Sequence, residues 1–206
     1  ELEKARREIV VRLGRAAEYR DNETGMHVIR MSNYSAALAR ATQLPEEQCD
    51  LILQASPMHD VGKIGIRDNI LLKPGKLEGD EWVNMKTHVE IGVSILSGGD
   101  SKIIQLAQEI AATHHEKYDG TGYPNGLKGE EISIPGRIVP ICDGFDALTS
   151  VRPYKKAWTV EDAVDLLKQE KGKHFDPDLV DRFISILPEI LEIRERYSET
   201  PLDAVA

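Results

Sequence analysis

The chain has 206 residues, of which 41% are hydrophobic, enough to bury one substantial core, so we expect a single domain with at most a short extension. Its formal net charge of −9 disfavours a protein that binds nucleic acid polymers through a basic face. The sequence contains neither a membrane-spanning apolar run nor a signal peptide, and its two cysteines, Cys49 and Cys142, lack Cys-x-x-Cys spacing, which predicts buried, reduced thiols in a cytoplasmic chain.

Residues 1–20 predict a charged amphipathic helix. One face of this helix is expected to carry the apolar side chains of Leu2, Ile9, Val10, Leu13 and Ala17. Because the chain begins without methionine, we interpret the helix as a linker from an upstream regulatory domain, such as a sensor or receiver. The alternative is an ordinary first helix of a free-standing domain.

Helical spacing of apolar residues continues through most of the chain, and aromatic residues are few, so the predicted fold class is all-α. Helices are expected over residues 25–42 and, farther along, from starts at Glu46, Asp80, Ser101, Arg137, Thr159 and Asp176. The helix from Asp80 is expected to continue past His88 with Trp82 on its buried stripe. Residues 117–136 hold five glycines and two prolines and predict a loop long enough to be functional.

Five of the six histidines cluster with carboxylates in a few short motifs. This combination predicts a metal site that holds more than one ion. The dipeptide His59-Asp60 alone is weak evidence for a metal site, since a histidine at a helix cap or on the surface is the ordinary alternative. Glu23 and His27 are four residues apart, so on a helix they share one face. The alternative for Glu23 is a solvated acid at a helix start, and for His88 a satisfied core histidine.

His114 and His115 are adjacent, and neighbouring side chains on a helix diverge. They therefore suit two different ions, or an ion and a substrate phosphate, better than one metal. Two-metal hydrolysis, in which the ions activate a water and hold phosphoryl oxygens, needs such a division. The composition and spacing alone therefore indicate a metal-dependent phosphohydrolase.

Taken in order, these motifs resemble the HD-GYP family, the branch of the HD phosphohydrolases that degrades cyclic di-GMP. The matching segments are His59-Asp60-Val61-Gly62-Lys63, His88 to Gly92, His114 to Pro124, Asp143 to Ala147 and Arg152 to Lys155. The resemblance covers most of the chain and implies a helical bundle of about seven or eight helices with a metal centre in its core. It places the catalytic domain at residues 21–196, with residues 197–206 as a tail.

The resemblance also implies a ligand set. The implied metal ligands are His59, Asp60, His88, His114, His115 and Asp143, with Asp60 bridging ions and acting in catalysis. Glu23 and His27 match the extra ligands of family members that hold three ions. We therefore expect two or three divalent ions, with iron or manganese favoured by the family, while nickel and zinc also suit histidine and carboxylate ligands.

Other matched residues are expected to serve the substrate. Lys63 lies one turn after His59, where its ammonium can stabilise a phosphate oxygen or protonate the leaving 3′ oxygen, a surface lysine being the alternative. Tyr123 can stack on guanine, and Arg152 and Lys155 match residues that hold phosphate or guanine. Asp146 is expected to support a ligand rather than bind metal.

The resemblance implies hydrolysis of cyclic di-GMP to linear pGpG and, through a second cleavage, to GMP. One alternative is a related hydrolase that prefers pGpG or another cyclic dinucleotide. Another is a non-catalytic signalling module that binds partners through residues 118–124, although such a module is expected to have lost ligands. A diguanylate cyclase domain and a second copy of the chain are the expected protein partners.

Overall fold

The computed structural model describes residues 2–21, 25–151 and 156–198, and the elements found there are helical. The α-helices are α1 (Leu2–Tyr19), α2 (Gly25–Ala41), α3 (Glu46–Ala55), α4 (Asp68–Leu71), α5 (Asp80–Lys86), α6 (His88–Leu96), α7 (Lys102–Thr113), α8 (Ile134–Thr149), α9 (Val160–Gln169), α10 (Pro177–Ser185) and α11 (Leu187–Arg196). Short 3-10 turns occupy Ser56–Met58, Val61–Gly65 and Gly129–Glu131. The all-α class is confirmed, and the helices within these ranges are more numerous than expected because several are short.

Local capping explains several of the helix starts. The Thr159 hydroxyl accepts a hydrogen bond from the Asp162 amide, and Asp176 accepts bonds from two amides of the first turn of α10, as N-cap side chains do. Helix α8 begins three residues before the predicted Arg137, because Ser133 caps it and Pro135 lies in its first turn.

The helix expected to run unbroken from Asp80 past His88 is instead two helices, α5 and α6, separated at Thr87. The Thr87 hydroxyl donates to the carbonyl of Asn84, 2.6 Å away, and the Asn84 amide donates to the carbonyl of Asp80 at 2.9 Å. Such side-chain bonds to the backbone compete with the helical ladder. The break leaves Trp82 exposed rather than on a buried stripe.

Helix α1 packs on the domain through only part of its predicted apolar face. Val10 and Ala17 are buried, whereas Ile9 and Leu13 are 58% and 53% exposed, so only part of the predicted apolar face contacts the domain. Gly14 sets the packing distance, because a Cβ there would lie 2.2 Å from the carbonyl oxygen of Pro57. The helix therefore lies directly against the 3-10 turn that precedes His59.

The hydrophobic core surrounds α2 and α8. The Phe145 ring lies edge-on to Tyr34, with centroids 6.0 Å apart, and packs on Phe183 at 5.1 Å. The thiols of Cys49 and Cys142 are both buried, and the two cysteines form no disulfide with each other. Among the described residues, no helix combines the length and apolarity needed to cross a bilayer.

Candidate metal centre

Two groups of metal-binding side chains lie inside the bundle. Asp60, His88, His114 and His115 each offer a ligand atom, and these atoms all lie within 4.8 Å of one another. The same criterion joins Glu18, His27 and His59. Because His59 and Asp60 are adjacent in sequence, the two groups meet and form one continuous centre.

Three of the imidazoles are oriented by their own local backbone. The Nδ1 of His59 lies 3.1 Å from the Ser56 carbonyl oxygen, that of His88 lies 2.7 Å from the Met85 oxygen, and that of His114 lies 3.0 Å from the Ala111 oxygen. A carbonyl oxygen can only accept, so in each ring Nδ1 carries the proton and donates it. In the neutral form of each ring, Nε2 then carries the lone pair that a metal ligand requires. Burial would lower the pKa of His59, but the Asp60 carboxylate raises it to about 9, so the Nε2 of His59 holds a proton that a metal ion would displace.

Asp60 lies between these Nε2 atoms. Its Oδ1 is 3.3 Å from the Nε2 of His88 and 3.3 Å from that of His114, while its Oδ2 is 3.3 Å from the Nε2 of His59. Burial would raise the pKa of Asp60, but the Lys63 ammonium and His59 hold it well below its usual range. Asp60 is therefore a carboxylate with each oxygen facing different imidazoles, the arrangement that a bridging ligand needs.

The donor atoms fit divalent cations. The Nε2 atoms of His88 and His114 lie only 3.4 Å apart, and the Nε2 of His59 and the Oδ1 of Asp60 are buried with no hydrogen-bond partner. Buried lone pairs that face one another are unfavourable unless something positive lies among them. Imidazole together with carboxylate suits the first-row transition metals.

His114 and His115 belong to one donor group, contrary to the expectation that they diverge. The two residues directly follow the end of α7 at Thr113, and their ring centroids lie 4.1 Å apart. Burial lowers the pKa of His115 well below its usual range, with His114 adding to the effect. Both rings are therefore available as neutral donors to the same group.

His27 connects the centre to helix α8. Its Nε2 lies 3.2 Å from Oδ1 of Asp143, and its Nδ1 lies 2.9 Å from Oδ2 of Asp146. Arg30 holds Asp146 with two bonds of 2.7 and 2.8 Å. Burial would raise the pKa of Asp146, but the bonds from His27 and Arg30 lower it to about 2. Asp146 thus orients His27 from behind, while Asp143 faces the donor atoms.

The sequence analysis missed Glu18. Its side chain is 1% exposed, and neither carboxylate oxygen has a hydrogen-bond partner. Burial raises its pKa to about 7, against the opposing effect of the Lys63 charge. A helical signal was present, because Val10, Gly14 and Ala17 precede Glu18 on the same face of α1. The many charged residues around Glu18 in the sequence made it look like one more solvent-exposed acid.

Other predicted site residues lie at the edge of the centre or outside the described residues. The Lys63 ammonium is 2.8 Å from Oδ2 of Asp60 and 2.5 Å from Oδ2 of Asp21, so it borders the donor atoms. Glu23, Arg152 and Lys155 lie outside the described residues, and their roles stay predictions.

A second missed carboxylate, Glu116, holds the glycine-rich loop against the histidines. It is buried, and its two oxygens accept bonds from the amides of Asn125 at 2.7 Å and Leu127 at 3.0 Å. Gly122 is required nearby, because a Cβ there would lie 2.3 Å from the Lys117 nitrogen. The Tyr123 ring consequently stacks on His115, with centroids 4.7 Å apart and 22° between the planes.

Comparison with known proteins identifies the family. A family described as HD domain matches residues 9–179. The chain belongs to the HD-domain family. The membership expected from the motifs is thus confirmed. The match begins inside α1, in agreement with the packing of this helix on the domain.

Relatives of this HD-domain chain carry names of cyclic dinucleotide phosphodiesterases. The chain is 48% identical over 194 residues to the 3'3'-cGAMP-specific phosphodiesterase 2 of Vibrio cholerae, covering 94% of this chain and 37% of that protein. It is 46% identical over 198 residues to the cyclic di-GMP phosphodiesterase response regulator RpfG of Xanthomonas campestris, covering 96% and 52%. The chain therefore spans about a third to a half of these relatives' lengths.

Solved structures agree with the helical architecture. A crystal structure described as a cyclic GMP-AMP specific phosphodiesterase of V. cholerae, V-cGAP3, aligns with a TM-score of 0.70 at 17% identity over 96% of this chain and 52% of that one. Bd1817 of Bdellovibrio bacteriovorus, described as an HDG"Y"P protein, aligns at 0.60 with 20% identity over 79% and 51%. At these identities the likeness shows the fold alone.

Proposed function

We propose that this HD-domain chain is a metal-dependent phosphodiesterase that hydrolyses cyclic di-GMP to linear pGpG and, by a second cleavage, to GMP. The observation that carries the proposal is Asp60, whose buried carboxylate lies 3.3 Å from the Nε2 atoms of His59, His88 and His114, an arrangement that divalent cations would satisfy. A buried centre of this composition suits phosphodiester hydrolysis. The names of the relatives support a cyclic dinucleotide as the substrate class.

Two of the ions would be held by the two donor groups, with Asp60 between them. His88, His114 and His115 would hold one ion, and Glu18, His27, His59 and Asp143 the other. A third ion, also bound by Glu23, and iron or manganese as the metals remain part of the proposal. When bound, such ions activate water and neutralise charge on the phosphoryl oxygens.

The chain's own residues then position the substrate. Lys63 already borders Asp60, so its ammonium can donate a hydrogen bond to a non-bridging phosphate oxygen and pass a proton to the leaving 3′ oxygen. Glu116 fixes the loop that places Tyr123 over His115. This covering ring limits the access of bulk water to one side of the donor group.

A second candidate is hydrolysis of 3′3′-cGAMP, favoured by the name of the 48% identical relative. Both reactions cleave a 3′ phosphodiester bond and would use the same metal centre. A purely non-catalytic module is disfavoured, because His59, Asp60, His88, His114, His115 and Asp143 all occur at the centre. The preference between cyclic di-GMP and 3′3′-cGAMP would therefore depend on the residues that contact the bases.

The test is turnover by the purified chain after anaerobic loading with Fe²⁺ or Mn²⁺. We expect conversion of cyclic di-GMP to pGpG, followed by slower formation of GMP, and no conversion by His88→Ala under the same conditions. Parallel reactions with 3′3′-cGAMP and pGpG would rank the substrates. A metal-loaded wild-type protein that converts none of the three would refute the proposal.

A further inference from the structure

Helix α5 presents an aromatic surface beside the metal centre. Trp82 is 45% exposed, and its ring lies edge-on to Tyr123, with centroids 6.3 Å apart and 77° between the planes. The Lys86 ammonium lies 5.8 Å from the centre of the Trp82 ring and 5.3 Å from that of Tyr123. Trp82 and Lys86 are one helical turn apart, so they share a face of α5. We call these three residues the α5 shelf.

The shelf continues outward from the metal donors. Tyr123 stacks on His115, and the Trp82 ring in turn lies edge-on to the Tyr123 ring. Two successive ring contacts therefore connect the donor group to an exposed indole. A nucleotide whose phosphate lies at the centre can place its base on this shelf.

Of the rings in this row, Trp82 is the one open to a ligand. One face of Tyr123 packs on His115, whereas the Lys86 ammonium lies near both the Tyr123 and the Trp82 rings. A base that stacks on Tyr123 must therefore compete with groups already there. A base that stacks on Trp82 meets an exposed ring, and every base has a π face that can use it.

Lys86 gives the shelf chemical selectivity. Within the described ranges, no carboxylate lies at ion-pair distance from its ammonium. Guanine presents two acceptors, O6 and N7, on one edge, whereas adenine presents N7 beside an amino donor. An ammonium can only donate, so it favours guanine and opposes the adenine amino group.

We propose that the α5 shelf is a nucleobase subsite in which Trp82 stacks on a base and Lys86 selects guanine over adenine. The inference rests on the proposed function and adds the base that the chain recognises. Both substrates in the relatives' names, cyclic di-GMP and 3′3′-cGAMP, contain guanine, so a single guanine subsite suits either. The adenines of cyclic di-AMP can stack on Trp82, but they present an amino donor in place of the O6 acceptor of guanine.

The kinetic test separates stacking from selection. Losing one charge-assisted hydrogen bond predicts that Lys86→Gln raises KM for cyclic di-GMP by about 10-fold or more, with kcat nearly unchanged and little effect on cyclic di-AMP. Trp82→Ala should raise KM for both substrates by about 5- to 150-fold, and Trp82→Phe should restore most of the loss. Lys102→Gln, which removes an exposed lysine paired with Glu47, is the matched charge control.

Binding can be measured without turnover. The chain has two tryptophans, so Trp158→Phe leaves Trp82 as the only indole. In that variant, GMP should quench the fluorescence of metal-free protein at lower concentration than AMP, and Lys86→Gln should remove the difference. This readout distinguishes failure of the subsite from failure of the phosphodiesterase proposal.

Several results would overturn the subsite. Equal KM increases for cyclic di-GMP and cyclic di-AMP in Lys86→Gln would show that Lys86 attracts phosphate rather than guanine. Wild-type KM values in Trp82→Ala would show that no base stacks there. Absence of quenching by GMP would have the same meaning, even if the chain hydrolyses cyclic di-GMP.

Discussion

Glu18→Gln tests whether this missed carboxylate belongs to the metal centre. The change keeps the shape of the side chain and removes its charge. Glu18 has no hydrogen-bond partner and lies with His27 and His59, so an ion there would lose one of its anionic ligands. Since even supporting residues around metal sites contribute about 10- to 100-fold to affinity, we expect binding of that ion to weaken by at least about 100-fold.

This loss can be converted into a change in stability. An ion present at about 100 times its dissociation constant stabilises the folded protein by about 2.7 kcal/mol. After a 100-fold loss of affinity, the same concentration contributes only about 0.4 kcal/mol. For a domain of this size, the difference lowers the metal-induced rise in melting temperature by about 5 to 9 °C.

The assay compares melting curves with and without Mn²⁺, together with metal content by elemental analysis. Glu8→Gln is the matched control, because Glu8 lies on the same helix and is exposed. At that metal concentration we expect Glu18→Gln to hold about half an ion fewer per chain, or a larger loss where binding weakens further, and the control to match the wild type. An unchanged metal-induced shift and an unchanged ion content in Glu18→Gln would show that Glu18 is not a ligand.

Three further substitutions test other parts of the centre. Asp60→Asn should lower turnover by about 100-fold or more while leaving the helical circular dichroism unchanged, and near-normal turnover would contradict its bridging role. Arg30→Ala removes the guanidinium from the buried Asp146 carboxylate, leaving it the contacts with His27 and Ser150, and should lower the free energy of unfolding in urea by about 3 kcal/mol; a loss below about 1 kcal/mol would contradict a stabilising role of the Arg30–Asp146 pair. Lys63→Ala should lower kcat more than it raises KM, because its expected partner is charge that develops during cleavage, whereas a pure KM effect would assign it to substrate binding.

The sequence predicted much of the fold and of the candidate site because those features have local signals. Helix starts at Thr159 and Asp176 follow from capping side chains that act within one turn. The pair His59-Asp60 and the later histidines were identified by residue type and order. Each of these signals lies within a few consecutive residues, so no tertiary information was needed to read them.

The features that sequence analysis missed depend on contacts between distant segments. The exposed and buried sides of α1 are set by the approach of Gly14 to Pro57, which amphipathic spacing does not reveal. Glu18 becomes unusual only because that approach buries it beside His27. Likewise, His114 and His115 lie in one donor group with Asp60 and His88, and this grouping depends on the approach of distant segments rather than on the spacing of the two histidines.

The orientation of the imidazoles depends on a local signal, and their assembly depends on contacts between distant segments. His59, His88 and His114 each donate from Nδ1 to the carbonyl oxygen three residues earlier, so the proton position in each ring is fixed by its own turn. The fold then needs only to bring three turns together, and Gly62 permits the closest approach, since a Cβ there would lie 1.8 Å from the His88 carbonyl oxygen. Local turns thus determine which nitrogen faces the centre, and long-range packing determines which donor atoms lie together. The motif resemblance therefore predicted the candidate ligands and a bridging Asp60, whereas the membership of His114 and His115 in one donor group depended on the fold.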